Sequence, residues 1–272
     1  MKMGMKFYQL TIVYKKKTNL LRTILSMLTL CVISASAIAD TIKKSGYYFA
    51  EPSTREIQDD DFMNPGFLWV EIGKNLWKKN VLIQNESFSC QSCHGDPENM
   101  RGISLKYPKV LNEKLINLEQ RINLCRTKNM LSEEFDIESK NLLGLSTLIT
   151  VQSRGMKQNI EINSDNKDWY ELGKKLYFKK IGQMGLSCNQ CHDDRVGLNL
   201  RAEKVSQGHV NGFPSYLLRW SKVASVHRRI QFCNEQARAE PYKIFSKEYN
   251  ALQLYLSWRG NGLSIESPSV RK

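Results

Sequence analysis

"CQSCH", residues 90–94, and "CNQCH", residues 188–192, are the stretches whose reading decides how this chain folds. Both match C-x-x-C-H, the attachment pattern of c-type haem. Two thiols three residues apart can each form a thioether with one haem vinyl group. The adjacent histidine is then placed to ligate the iron from the proximal side. A single match could also be a redox dithiol or half of a zinc site. Two matches point to two covalently bound haem c groups, attached through Cys90, Cys93, Cys188 and Cys191, with His94 and His192 as proximal iron ligands.

The surroundings of the two motifs repeat as well. "WVEIGKNLW" at 69–77 and "WYELGKKLY" at 169–177 share Trp, Glu, Gly, Lys and Leu at an offset of 100 residues, each an amphipathic helix pattern shortly before its motif. Downstream, "RINLC" at 121–125 matches "RIQFC" at 229–233. Apolar helical stretches at 142–151 and 249–256 then precede "SRG" at 153–155 and "SWRG" at 257–260. The order helix, C-x-x-C-H, R-I-x-x-C, closing helix therefore occurs twice. It predicts a mainly α chain of two tandem cytochrome c-like domains, residues 66–156 and 169–272, each wrapped around one haem. A polar, Asn-rich linker at 157–168 joins them, and residues 40–65 read as an irregular N-terminal segment. Trp69, Trp77, Trp169 and Trp258 are expected in the cores around the haems.

Residues 1–39 carry six basic residues and no acid, then the apolar run Ile24–Ile33 and Ala37-Ile38-Ala39. That order reads as a secretory signal peptide, and the run falls short of the ~20 apolar residues that a span needs. Cys31 goes with the leader, and no later stretch could cross a bilayer. The remainder holds 34 basic and 27 acidic residues, a net of +7. Export to the periplasm argues against nucleic acid as a partner, so the basic surface calls for a small anion or an acidic protein.

The distal side of each iron is commonly filled by Met or His. No methionine occurs after Met184, so the second domain offers Cys233, His209, His227, a lysine or an open position. In the first domain His94 is the only histidine, which leaves Cys125, Met100, Met130 and Met156. The cysteine of R-I-x-x-C is common to both halves. A thiolate is a strong ferric ligand, and a nearby arginine favours the thiolate form. Cys125 and Cys233 could instead form a disulfide or be inert buried thiols, and His209 and His227 could be surface or packing residues. From Arg195 to Lys243 nine basic residues face three acids, a basic face that beside a thiolate would also concentrate a dianion.

With both C-x-x-C-H motifs, the repeated cysteine and Arg229 four residues before Cys233, the chain resembles the SoxA subunits of SoxAX cytochromes, the L-cysteine S-thiosulfotransferases of thiosulfate oxidation. "GHVNGFPSYLLRW" at 208–220 and "RRIQFCNEQ" at 228–236 are similar to that family's C-terminal domain. The resemblance implies His94 and Cys125 as the axial ligands of the first haem, and His192 and Cys233 as those of the second. It makes Cys233 a persulfide-bearing catalytic residue with Arg229 beside it, and gives the first haem an electron-relay role. The implied reaction joins thiosulfate to a cysteine of a SoxYZ-type sulfur carrier. Electrons would leave through a small SoxX-type c-type cytochrome subunit to a soluble cytochrome c acceptor. Two other activities suit the same motifs: a thiosulfate dehydrogenase that forms tetrathionate, and a plain di-haem electron carrier.

Overall fold

A computed structural model describes residues 42–83, 86–201 and 203–272; the expected leader lies outside them. Two short helices, α1 (Gly46–Phe49) and α2 (Pro52–Asp59), occupy part of the segment expected to be irregular. Pro52 sits in the first turn of α2, where its fixed φ suits a helix start and its missing N–H costs nothing. The first half continues through α3 (Phe67–Lys78), the hairpin β1 (Val81–Ile83) and β2 (Glu86–Phe88), and α4 (Cys90–His94). Then come the hairpin β3 (Lys109–Leu111) and β4 (Lys114–Ile116), α5 (Leu118–Asn129) and α6 (Lys140–Val151). The second half begins with α7 (Lys167–Phe178), α8 (Cys188–His192) and the small hairpin β5 (Asn199–Leu200) and β6 (Glu203–Lys204). It ends with β7 (Ser215–Leu217), β8 (Lys222–Ala224), α9 (Val226–Gln236), α10 (Lys247–Arg259) and β9 (Ser269–Arg271).

Each half is built on the crossing of its first and last long helices, α3 with α6 and α7 with α10. The repeated glycine explains the close approach. A Cβ on Gly73 would lie 2.4 Å from the Gly144 carbonyl oxygen, and one on Gly173 would lie 2.1 Å from that of Ala251. Side chains one turn away fill the rest. Val70, Trp77, Leu118, Leu142, Leu145 and Leu148 form the first core; Tyr177, Val226, Ile230, Tyr249, Leu252 and Tyr255 form the second. α6 is buried from Leu142 to Thr150, so its apolar run has no polar face. Its hydroxyls turn inward instead: Thr147 Oγ1 donates to the Leu143 carbonyl at 2.6 Å, and Ser146 Oγ donates to buried Glu119 at 2.8 Å.

Trp69 and Trp77 are buried as expected, but Trp258 is 37% exposed. Its indole lies at the rim, edge-on to Tyr170 at 5.0 Å and stacked on Tyr255 at 6.0 Å. The Asn-rich linker is pinned down rather than free. Ile160 N–H donates to Asn261 Oδ1 at 2.7 Å, and Gln158 N–H donates to the Leu263 carbonyl at 2.9 Å. Lys44 to Lys272 thus form one compact unit. A three-stranded sheet in the order β8–β7–β9 completes it, with β9 parallel to β7. Among the described residues, no helix is long and apolar enough to cross a membrane.

Candidate functional site

Both C-x-x-C-H stretches fold as one-turn helices started by a serine. At α4, Ser92 N–H donates to Ser89 Oγ at 3.1 Å and Ser89 N–H donates to Ser92 Oγ at 2.9 Å, a capping box. At α8, Ser187 N–H donates to Gln190 Oε1 at 2.9 Å. The residue after each histidine is then anchored by the repeated aromatic of the preceding helix. Trp77 Nε1 donates to the Gly95 carbonyl at 2.8 Å, and the Tyr177 hydroxyl donates to Asp193 Oδ1 at 2.9 Å. Arg259, from the closing helix, pairs with Asp193 as well.

In the second half His192 Nδ1 lies 2.7 Å from the Ser206 carbonyl oxygen. A carbonyl only accepts, so Nδ1 carries the proton and Nε2 is the ring nitrogen left for a metal. Burial holds the His192 pKa below its ordinary value and favours the neutral ring. Gly208, at φ +71°, backs the imidazole so closely that a Cβ would sit 2.8 Å from Cγ. Helix α9, capped by Ser225, carries Arg229 and Cys233 one turn apart on one face. Cys188 and Cys233 are electrostatic neighbours. Burial, and then the Cys233 charge, push the Cys188 thiol up to about 12. Cys233 is accessible to solvent, yet the protein around it raises its pKa while Arg229 works the other way.

The first half repeats this set in a different electrostatic setting. Burial, followed by the Cys125 charge, pushes Cys90 up to about 11. Asn129 Nδ2 approaches Cys125 Sγ at 3.8 Å, and the exposed His94 ring lies 5.8 Å from that of Trp77. Arg121, the counterpart of Arg229, sits against the Tyr107 phenol. Arg229 Nη1, by contrast, is buried without a hydrogen-bond partner. At both places the residues suit a c-type haem: two thiols and a histidine on one short helix, and a cysteine from a second. At the second place a neutral imidazole already has one nitrogen committed.

The other expected ligand candidates are distributed elsewhere. Met130 is in the core and Met100 packs against it. His227 is fully buried beside Phe245 and Tyr249, its Nδ1 accepts the Phe245 N–H at 3.1 Å, and burial lowers its pKa to about 3. It is a packing residue. His209 Nε2 lies 3.3 Å from Gln207 Oε1. The six described cysteines are unpaired, so no Cys125–Cys233 disulfide is formed. Arg219, read from the sequence only as one of the nine bases of the basic face, lies beside Cys233. One residue escaped the sequence reading: Glu203, whose carboxylate faces both Arg219 and Arg229. Glu203 is one of three acids in a stretch of nine bases, a signal that could have found it. Met156, the remaining expected candidate, lines a recess of about 560 Å³ between Gly102–Val110 and Met156–Asn166, which contains none of the cysteines or histidines.

A family model described as "SoxA/TsdA, cytochrome c domain" matches residues 72–158 and 172–265. The chain is 39% identical over 238 residues to "L-cysteine S-thiosulfotransferase subunit SoxA" of Paracoccus pantotrophus, which covers 86% of this chain and 81% of that one. The protein of the same description from Chlorobaculum thiosulfatiphilum is 32% identical over 83% of this chain and 78% of its own. A solved structure, "Crystal structure of SoxXA from P. pantotrophus", superposes with a TM-score of 0.81 at 38% identity, covering 87% of this chain and 90% of that one.

Proposed function

Because this chain belongs to the SoxA/TsdA cytochrome c family, we propose that it is the catalytic subunit of a periplasmic L-cysteine S-thiosulfotransferase carrying two haems. Cys90 and Cys93 would attach the first haem between His94 and Cys125, and Cys188 and Cys191 the second between His192 and Cys233. The observation that carries this reading is the placement of Arg229 one turn before Cys233, with Cys188 in electrostatic reach and a guanidinium donor unspent.

Thiosulfate and a carrier cysteine thiolate together become one S–S linkage and release two electrons. A bound c-type haem supplies a one-electron acceptor, so the pair must leave in two steps, through a SoxX-type partner to a soluble cytochrome c. Arg229 holds the sulfonate oxygens by charge-assisted hydrogen bonds and leaves the terminal sulfur towards Cys233. Cys233 handles that sulfur, as ligand and as persulfide-bearing nucleophile. Ser206 fixes the His192 tautomer and Gly208 gives the imidazole room, so the opposite side of the site stays rigid. Around Arg121 the guanidinium is engaged by Tyr107, which supports an electron-relay role for the first haem.

The test is reduction of cytochrome c by thiosulfate with and without a SoxYZ-type carrier. The expected result is carrier-dependent turnover, lost in Cys233→Met although haem remains bound and reducible. A Cys233 peptide heavier by one sulfur atom would accompany it. Carrier-independent formation of tetrathionate would make the protein a thiosulfate dehydrogenase, and normal turnover in Cys233→Met would leave only an electron carrier.

A further inference from the structure

The hairpin β5–β6 brings a single acid to the edge of the Cys233 site. Glu203 divides its carboxylate between two guanidiniums: Oε1 accepts from Arg219 Nη2, and Oε2 lies 4.0 Å from Arg229 Nη2. Both guanidiniums also lie over the Phe232 ring, 4.9 and 5.4 Å from its centroid, and Trp220 closes that ring edge-on at 5.4 Å. The Cys233 sulfur, adjacent in sequence to Phe232, feels the charges of Arg229, Glu203 and Arg219 together. Two fixed cations beside a reactive sulfur are a seat for a dianion, and a carboxylate already sits in it.

The three groups differ in how firmly they are held. Arg229 rises from the first turn of α9, and Arg219 from the one-turn helix Leu218–Trp220 that links β7, the central strand of the three-stranded sheet, to β8. Glu203 stands on a ladder of only two residue pairs whose other strand is exposed. Of the three, the carboxylate is the one carried by so short a ladder. We propose that Glu203 is a resident counter-anion that occupies the seat formed by Arg219 and Arg229, and is displaced when a small dianion binds beside Cys233. Arg219 thereby becomes a second anion-holding residue. That the dianion is thiosulfate rests on the function proposed above; the displacement rests on the ion-pair geometry. A monoanion brings no more charge than the tethered carboxylate it would displace, whereas a dianion brings twice as much, so the arrangement selects for dianions.

The experiment measures thiosulfate binding to the haem-loaded protein by calorimetric titration, over a range of ionic strength, for wild type, Glu203→Gln, Arg219→Gln and Arg229→Ala. Glu203→Gln keeps the side-chain shape and removes the competitor. Thiosulfate should bind it roughly threefold to tenfold more tightly, the scale of a partly exposed ion pair with more than one partner. Its affinity should also fall more steeply with salt, because the seat then carries one more net positive charge. Arg219→Gln should weaken binding. Unchanged or weaker binding in Glu203→Gln, with Arg229→Ala impaired, overturns the displacement and makes Glu203 a prop for Arg229. Equal binding by wild type and Arg229→Ala overturns the thiosulfate site itself, and the displacement with it.

Discussion

Arg229 and Arg121 stand at equivalent positions of the repeat but differ in what they touch. Arg121 is engaged by a phenol, while Arg229 keeps a buried donor without a partner. Removing a charge-assisted partner from a partly desolvated anion costs about 1.5–3 kcal/mol, so Arg229→Ala should lower thiosulfate turnover roughly 10- to 150-fold. Arg229→Lys should recover only part, because an ammonium lacks the planar fork that holds two oxygens. Steady-state reduction of cytochrome c checks both, and Arg121→Ala should leave the thiosulfate KM in place. His227 makes a separate prediction about stability. Burial lowers its folded pKa to about 3, so between there and the ordinary value the unfolded chain takes up a proton that the folded chain refuses. Its contribution is intact above about pH 6.5 and is lost on acidification, with a limiting slope of about 1.4 kcal/mol per pH unit. Thermal melts between about pH 7 and pH 5 should show this loss, and His227→Asn should flatten it.

The crossing of α7 with α10 leaves Gly173 no room for a methyl group, and that of α3 with α6 leaves Gly73 none. Gly173→Ala should destabilise the protein by about 3 kcal/mol or more, because the clash is with backbone that cannot easily give way. Gly155→Ala meets no neighbouring atom, and its positive φ should cost only about 1–2 kcal/mol. Denaturant melts of the haem-loaded variants give the comparison; similar values for the two would show that the crossing relaxes. These helices were legible in the sequence because their tryptophans, glycines and lysines recur at a fixed offset and at helical spacing. The two helices of residues 46–59 were not, since neither has a repeat partner and α2 is short and polar. The same contrast runs through the site. Cys125, Cys233, Arg121 and Arg229 show themselves by repetition, whereas Ser206 acts through a backbone carbonyl that has no sequence signature. Glu203 and Arg219 meet across 16 residues of non-repeating loop and strand.

At the scale of the whole molecule, two-electron chemistry needs an exit, and the proposed exit is a small c-type cytochrome bound as a stable partner. Affinity capture of the protein from a thiosulfate-grown source should recover that partner in equal amount; recovery of this chain alone, fully active, would refute it. The fold also joins distant parts of its own chain. Gln58 Oε1, in α2, accepts the Val270 N–H of β9 at 3.0 Å, Arg271 reaches the same oxygen, and Asn64 Nδ2 donates to the Pro268 carbonyl at 2.8 Å. Deleting residues 268–272 should therefore expose residues 46–64 to proteases while both one-turn C-x-x-C-H helices persist, as limited proteolysis would show. This long-range clasp sets an order of assembly. A chain that reaches its compartment from the N-terminal end delivers residues 90–94 and then 188–192 well before residue 270. The earliest stretch has to wait for the latest, so both C-x-x-C-H motifs are delivered while this clasp is still open. Docking of the final strand thus comes after both motifs are delivered, and the two motif helices, none of whose residues is buried, stay reachable once it has docked.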